Sequence, residues 1–560
     1  MAGPEKERHD SPDGRKGRGA ADSKTSTPEE ALRREELMRK FMEELLGQLL
    51  AGKLAGKQEV HRAKVVLAGK LGLDRIPSDV EVLGTVPPEH REELLPILKT
   101  KPVRDISGVV TVAAMTSPAP CPHGKCLYCP GGVERNSPQS YTGKEPAALR
   151  GTNYDYDSYR EVKGRLEQLA SCGHPTDKVD LIIMGGTFLS RPEEYQDGFV
   201  KGCYDAMNGF RAASLREAVD GNESAPARCI GLTIETRPDW CFEPHIDRML
   251  SFGTTRVEMG VQSLSDEALA KMKRGHGTGE VRKATQLARD AGLKVGYHMM
   301  PGFPFVKLEE EREHYRRLFE DPGLKPDMLK LYPTLVMEGT GLHELWKRGD
   351  YPPFGDSEAV EFLADVKSNL PRWVRVQRIQ RDIPAQLIGQ GVKKSNLRQL
   401  VKRRMAERGL RCHCIRCNEV GHLGMRTGAG EDLRLLRELY DAAGGKEAFI
   451  YLETPGGGLA GYLRLRRPSK DAHRPELRDG TSAIVRELRV LGEAVPLEKR
   501  PDKRWQHRGL GLRLLAEAEL VAAGEWKLER LLVNSGAGAR PYYARLGYER
   551  KGPYVGKKLG

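Results

Sequence analysis

Six of the ten cysteines fall in two tight groups, Cys121/Cys126/Cys129 and Cys412/Cys414/Cys417. In a reducing compartment such groups hold metal more often than they pair as disulfides. The first reads Cys121-Pro-His-Gly-Lys-Cys126-Leu-Tyr-Cys129. Three thiolates on one loop bind three irons of a 4Fe-4S cubane and leave the fourth iron open to a ligand. The alternative is a structural zinc loop with His123 as fourth ligand. Such zinc takes four ligands, and the next cysteine along the chain is the distant Cys172. The second group, Cys412-His-Cys414-Ile-Arg-Cys417, has the spacing of a zinc clamp, with His413 or His422 as candidate fourth ligand. Free thiols on a basic loop are its alternative. A third signal is Gln506-His-Arg-Gly509-Leu510-Gly511-Leu512 ahead of a helical run. Glycines there let backbone amides approach a pyrophosphate, and a helix N-terminus adds partial positive charge.

These groups need elements to position them. From about residue 105, short apolar runs alternate with helical or polar stretches: 107–114, 180–187, 229–236, 256–263, 294–301 and 328–335. Six such repeats predict βα units and a parallel sheet, an open partial barrel rather than a closed eightfold one. Catalytic groups in such folds sit at the C-terminal ends of the strands. Those ends carry the first cysteine loop, Gly185–Gly186–Thr187, Glu235, Gln262 and Met300–Pro301. After Gly430 the pattern predicts a compact α+β unit over 431–560. Its expected order is a helix over 431–443, strands over 448–453, 459–466 and 483–490, a helix over 509–523, a strand over 530–534, a helix over 539–546 and a final strand near Tyr548. Ahead of the barrel, 1–28 lacks bulky apolar residues and is expected to be a disordered tail. Residues 29–100 carry a helical stripe, including Leu37, Phe41, Leu45 and Leu49, that either packs on the next domain or touches RNA.

Charge is unevenly spread. The 560 residues carry 91 Lys/Arg against 78 Asp/Glu, a net +13. Residues 364–417 hold fourteen Lys/Arg against Asp365, Asp382 and Glu407, nearly the whole excess. With Trp373 as its single aromatic, this stretch reads as a phosphate-tracking surface rather than a base-stacking one. The start, MAGPEKERHD, has no apolar core of a signal peptide, and no run is long and apolar enough for a membrane helix. The expected setting is cytoplasmic, without membrane contact.

The Cys121–Cys129 loop resembles the signature of radical S-adenosylmethionine (SAM) enzymes, with one extra residue in the first gap. Longer text narrows the likeness: Glu235-Thr-Arg-Pro-Asp239, Gly260-Val-Gln-Ser263, Arg274-Gly-His276, His298-Met-Met-Pro301 and Leu329-Lys-Leu-Tyr-Pro-Thr-Leu335. Together they resemble the family of the Elongator catalytic subunit, the tRNA uridine carboxymethyl synthases of microbial type, from about Lys101 to the C-terminus. The resemblance implies a radical SAM domain over 101–372, a basic zinc-binding connection over 373–430 and a GNAT-like acetyl-coenzyme A domain over 431–560. It implies a 4Fe-4S cluster on Cys121, Cys126 and Cys129, and SAM at Gly185, Gly186, Thr187, Glu235 and Gln262. It places zinc, as a structural brace, on Cys412, Cys414 and Cys417. It places acetyl-coenzyme A against Glu487, Leu488, Arg489, Val490, Gln506, Gly509, Leu510, Gly511, Leu512, Tyr543 and Lys178. Catalytic roles fall to Lys178, Tyr542 and Tyr543.

The implied reaction starts with reductive cleavage of SAM to a 5′-deoxyadenosyl radical, which takes hydrogen from the acetyl methyl. The carbon radical adds to C5 of wobble uridine 34, and thioester hydrolysis leaves 5-carboxymethyluridine. The implied partners are the tRNA anticodon loop and Elongator-type proteins. One departure stands out: where the family has His-Val-Tyr, this chain has Arg489-Val-Leu491. Backbone contacts to the cofactor survive that change, whereas an imidazole base does not. The rival readings are a GNAT-type protein lysine acetyltransferase with a structural iron–sulfur cluster, and a non-catalytic RNA-binding scaffold.

Overall fold

The computed structural model describes residues 27–101, 106–425, 432–492 and 509–560. Most of the expected disordered tail, and Gln506, lie outside the described residues. The chain divides into two compact units, one ending at Thr100 and one beginning at Lys101.

The first unit is helical. Its helices are α1 (Pro28–Leu50), α2 (Lys57–Leu71), α3 (Asp79–Thr85) and α4 (Arg91–Leu98). Thr27 starts α1 with a reciprocal cap: its hydroxyl accepts from the Glu30 amide, and the Glu30 carboxylate accepts from the Thr27 amide. Phe41, Leu45 and Leu49 of α1 then bury with Val60, Leu67, Val82, Leu83, Leu94 and Leu98. Leu32 stays exposed, so only the later part of the stripe is core.

The second unit contains two seven-stranded sheets. The first runs β1 (Val110–Met115), β2 (Lys178–Met184), β3 (Arg228–Thr236), β4 (Arg256–Gln262), β5 (Lys294–Met299), β6 (Met328–Leu331) and β8 (Arg375–Arg378), all parallel and in chain order. Beside it, β7 (Val336–Met337) and β9 (Ile388–Gln390) pair antiparallel. Strand β4 is buried on both faces, as expected where helices cover one side and the other faces an enclosed lumen. Strand β2 alternates, because Asp180, Ile182 and Met184 face a cavity. The seventh strand, β8, adds to the six apolar runs. Its text, Arg-Val-Gln-Arg, contains no such run, and it lies inside the basic connection.

The second sheet has the order β10 (Arg434–Ala442), β11 (Gly445–Glu453), β12 (Leu459–Arg467), β13 (Ser482–Val490), β14 (Arg530–Val533), β16 (Tyr554–Lys558) and β15 (Glu549–Lys551). The helix expected over 431–443 is a correction: its described residues form β10. This edge strand reads as helix because Leu436, Leu439 and Tyr440 recur at three- and four-residue steps. The turn chemistry decides otherwise. Ala443 and Gly444 both take positive φ, closing a two-residue hairpin onto β11. Charged residues along β10 guard the exposed edge.

The two sheets are joined by buried charge. Arg289 and Asp290, at the end of helix Thr278–Asp290, and Asp327, just before β6, come from the barrel. Glu447, Arg464, Arg466, Arg486 and Glu487 come from β11, β12 and β13. Arg289 meets Glu447 at 2.8 Å and Asp327 at 3.2 Å. Arg486 meets Asp327 at 2.6 Å and Glu447 at 2.8 Å. Arg466 reaches Asp290 at 2.5 Å and Glu447 at 3.0 Å, and Arg464 reaches Glu487 at 2.9 Å. Four guanidiniums thus face four carboxylates, in balance, with almost no solvent exposure. Burial opposes the charge on Asp327, but Arg289, Arg486 and Arg464 hold its carboxyl well below the usual range.

Removing one member leaves an uncompensated buried charge, which costs about 3–5 kcal/mol. Arg486→Met should lower stability by about that amount, read as the shift of the first transition in urea unfolding. An unchanged transition would contradict the role assigned to the network.

Candidate active site

The cysteine loop leaves the C-terminal end of β1. The Thr116 amide donates to the Met184 carbonyl at 2.8 Å, tying the loop to the end of β2. The Met115 amide donates to Glu161 Oε2 at 2.9 Å. Cys126 and Cys129 are buried and Cys121 is half-buried. Donors surround the thiols: Gln139 Nε2 and the Ser140 amide reach Cys129 Sγ at 3.3 Å each, and Arg274 Nη1 reaches Cys126 Sγ at 3.8 Å. Such donors favour the thiolate over the thiol.

His123 completes this shell as a hydrogen-bond donor. Arg237 can only donate, so Nδ1 of His123 accepts from it and Nε2 carries the proton toward Cys126 Sγ at 3.1 Å. Burial, reinforced by Arg237, pushes the imidazole pKa down to about 4, so the ring is neutral. The Arg274-Gly-His276 text is explained here. Arg274 Nη2 and His276 Nε2 both reach the Gly260 carbonyl, at 2.5 and 3.2 Å. Gly275, at φ +74°, leaves no Cβ to strike His123, which would lie 2.8 Å away.

A continuous cavity of about 560 Å³ opens beside the loop. Cys121, Cys129, Gly186, Thr187, Glu235 and Gln262 line one end. Gly185 has φ +127°, and a Cβ there would sit 2.1 Å from Thr116 Oγ1. Gly186 has φ +89° and its missing Cβ faces Gln139. Side chains at either position would therefore strike Thr116 or Gln139, and the tight turn at this end of the cavity needs glycine at both. Thr187 Oγ1 lies 3.8 Å from Cys121 Sγ. Glu235 accepts from Tyr141 Oη at 2.8 Å and Lys330 Nζ at 3.0 Å. Burial works against its charge, while Lys330 and His298 hold its pKa below the usual value. Lys330 also pairs with Glu258, which accepts from His298 Nε2 at 3.0 Å. A loop of three thiols with donors on the sulfurs, beside a cavity lined by Gly186 and an acceptor carboxylate, fits a cubane with one open iron and a bound amino-acid moiety.

The cavity continues along the lumen past Asp180, Arg256 and Met328 to Arg375, Arg416 and Arg489. There the second sheet splays. Strand β13 pairs with β12 as far as Val490, but with β14 only over Ser482–Val485. Among the described residues, the β13 edge from Arg486 to Val490 has no strand partner on the β14 side. Gly509, in the left-handed conformation, precedes helix Leu510–Leu520. A Cβ on Gly511 would meet Tyr542 Oη at 2.9 Å and Val490 Cγ2 at 3.9 Å, so these three residues converge. Tyr543 lies in the core, edge-on to Tyr542 and Tyr548. The Glu487 carboxylate is already taken by Tyr462 and Arg464, both at 2.9 Å, which leaves its backbone. Leu488 packs on the helix side, Leu510 is buried and Leu512 is exposed. Lys178 begins β2 beside Arg228, its 3.9 Å ion pair with Asp177 partly exposed, and does not line the cavity. Arg228 itself packs against Gly538, near the second sheet.

In the second cysteine group the three Sγ atoms lie within 4.8 Å of one another, as around a single ion. The Ile415 amide donates to the Val374 carbonyl at 2.9 Å, fastening the group to β8. Neither histidine candidate is the fourth neighbour. His413 is exposed, and His422 Nε2 pairs with Glu419 at 2.9 Å. Lys367, 2% exposed, takes that place, its Nζ 3.3 Å from Cys412 Sγ and 3.5 Å from Cys417 Sγ. It lies on helix Asp356–Ser368, where local spacing gives no sign of it.

The basic stretch also needs correction. Arg375 pairs with Glu419 at 2.7 Å, Arg372 with Glu453, and Arg408 with Asp365 at 2.7 Å. Arg398 donates to the Val376 and Gln377 carbonyls. Trp373 stacks on Tyr440 with ring centres 4.2 Å apart. Much of the charge is therefore structural, and Lys393, Lys394, Lys402, Arg403 and Arg411 belong to its exposed remainder.

Residues 118–318 match the Radical SAM superfamily, 326–407 its C-terminal domain and 38–106 the ELP3 N-terminal domain. A tRNA uridine(34) acetyltransferase of Methanocaldococcus jannaschii is 49% identical over 93% of this chain and 98% of its own. The chain belongs to the Elongator protein 3 family. Elongator complex protein 3 of Homo sapiens is 43% identical over 94% of this chain and 98% of its own. The solved Elp3 of the archaeon Methanocaldococcus infernus, with its N-terminus deleted, superposes with a TM-score of 0.72 at 46% identity, covering 81% of this chain and 100% of that one. The family likeness thus starts well before Lys101. Membership in the radical SAM superfamily implies a 4Fe-4S cluster and SAM.

Two buried carboxyls escaped the sequence reading. Glu161 holds the Met115 amide, and Glu311 accepts from the Gly302 and Phe303 amides at 2.8 and 3.3 Å. Burial raises each from 4.5 to about 8. A raised folded-state pKa contributes stability that is full below about 4.5 and is lost as pH rises through about 8. The loss approaches about 1.4 kcal/mol per group per pH unit inside that window. Thermal unfolding from pH 5 to 8 should show the Glu161→Gln/Glu311→Gln variant losing less stability than the wild type; parallel losses would contradict this.

Proposed function

We propose that this chain builds 5-carboxymethyluridine at wobble position 34 of tRNA, taking the two-carbon unit from acetyl-coenzyme A by radical SAM chemistry. The observation that carries the reading is the single cavity with the cysteine loop at one end and the splayed strand at the other. Two separate activities would not need a shared chamber.

Cys121, Cys126 and Cys129 would hold the cluster, and the donors Gln139, Ser140, His123 and Arg274 would stabilise its thiolates. When bound, the cluster supplies the electron that cleaves SAM. Gly185 and Gly186 make room for the methionine moiety, and Glu235, Gln262 and Thr187 orient it. The open β13 edge offers backbone amides and carbonyls of Glu487–Val490 to the pantetheine arm. Gly509–Leu512 at the helix start receives the pyrophosphate, with Tyr542 beside it. Lys178 and Tyr543 keep the roles that the resemblance implies, at the barrel edge and in the core behind Tyr542. An anticodon-loop base is already unpaired and cheap to flip into such a chamber. Lys393, Lys394, Lys402 and Arg403 would track the tRNA backbone. Elongator-type protein partners and a cytoplasmic setting belong to the same reading, since relatives carry the Elongator complex name.

The second cysteine group would supply three of a zinc ion's four ligands, with Lys367 offsetting thiolate charge, and the ion would brace β8 against the second sheet. Cys414→Ser should lower bound zinc from about one equivalent toward none, measured by elemental analysis. For the reaction, Cys126→Ser should abolish the carboxymethyluridine that the wild type forms, in nucleoside mass spectrometry of tRNA incubated with acetyl-coenzyme A, SAM and a one-electron reductant. Undiminished product would refute the reading.

A further inference from the structure

The far end of the cavity carries more positive than negative charge. Arg489 lies on β13 between Leu488 and Val490, which pack toward Leu510 and Leu514. Strand alternation turns Arg489 the other way, into the cavity. Arg416 lines the same cavity. Among the described residues, neither guanidinium makes a hydrogen bond or an ion pair. Lys294, 9% exposed, sits close enough to Asp180, Arg256, Glu487 and Arg489 to feel their charges, and its amine is likewise unbonded among the described residues.

The carboxylates nearby are already engaged. Glu419 holds Arg375 at 2.7 Å and His422 at 2.9 Å. Glu487 holds Arg464, and Asp180 pairs with Arg256 at 3.3 Å. Among the described residues, Arg489 and Arg416 are left without a direct counter-ion in a partly enclosed space, which favours an anion there. A guanidinium fork matches a carboxylate or a phosphate.

We propose that Arg489 and Arg416 form an oxyanion subsite that takes a small carboxylate at the acyl end of the thioester site. This rests on the coenzyme A reading above. Sidedness argues against the coenzyme's own phosphates. The glycine-bounded helix start approaches β13 from the Val490 side, where Gly511 faces Val490 and Tyr542. Arg489 points to the opposite face. Two sources supply a carboxylate there: the acid left by thioester hydrolysis, and a thioester whose acyl chain ends in a second carboxylate.

Calorimetric titration of the full chain distinguishes them. The probes are malonyl- and acetyl-coenzyme A, and free acetate and malonate. They are compared across the wild type, Arg489→Gln, Arg416→Gln and the charge-keeping Arg489→Lys. A charged hydrogen bond of this kind contributes about ten- to hundredfold in affinity. A preference for malonyl- over acetyl-coenzyme A that falls at least tenfold in either Gln variant, and partly recovers in Arg489→Lys, supports the subsite and assigns it to a carboxyacyl thioester. Equal thioester affinities, with free acetate binding that falls tenfold in the variants, support it and assign the released acid. Free malonate binding that depends on the arginines while no thioester binds refutes the coenzyme A reading and leaves the subsite standing. Anion affinities that are the same in wild type and both Gln variants overturn the proposal.

Discussion

Four arginines and four carboxylates lie out of water between the barrel and the second sheet, and the geometry of the whole second unit depends on their match. Such a network adds little net stability over an apolar interface, since desolvation offsets most of the attraction. What it contributes is uniqueness. Slide β11–β13 by one residue against the barrel, and the crossing pairs Arg289–Glu447, Arg466–Asp290 and Arg486–Asp327 are lost. The register of the two sheets is thereby set, and with it the line from the cysteine loop to the splayed strand.

That line gives the molecule its functional character. A single lumen joins a thiolate loop at the C-terminal ends of the barrel strands to an open strand edge at the other end. Buried carboxyls at Glu161 and Glu311 anchor the loops that rim it, each by accepting backbone amides. The second cysteine group acts further out, tied to helix Asp356–Ser368 through Lys367, to the β8 region through the Ile415 amide and to the second sheet's core through the Ile415 side chain. Reaction geometry and domain docking are consequently one problem, because the chamber's walls come from both sheets.

Much of this was legible locally. The six apolar runs became six strands in order, since burial on both faces writes itself as continuous hydrophobic text. The cysteine spacings and the Gly185–Gly186 pair were equally visible, because close-range chemistry demands particular residue types. Strand β8 was missed, as four residues beginning and ending in arginine carry no apolar run. Strand β10 was misread as helix, although the Gly444–Gly445 text held the hairpin signal. The basic stretch looked like a surface because charge in a sequence shows no partners. Glu419, Glu453 and Asp365 supply them from a distance.

The two cysteine clusters, noticed before any fold was known, mark the division. Which atoms can bind iron or zinc follows from residue type and spacing over fewer than ten positions, and needs no fold. Which groups stabilise those sulfurs does not: Arg274 and Gln139 at the first cluster and Lys367 at the second arrive from other elements. The same holds for the pairing of Arg486 with Asp327 and for Arg489, unpaired among the described residues. A charge is inexpensive in water and decisive once buried, and burial is a property of the folded chain, not of the neighbours in sequence.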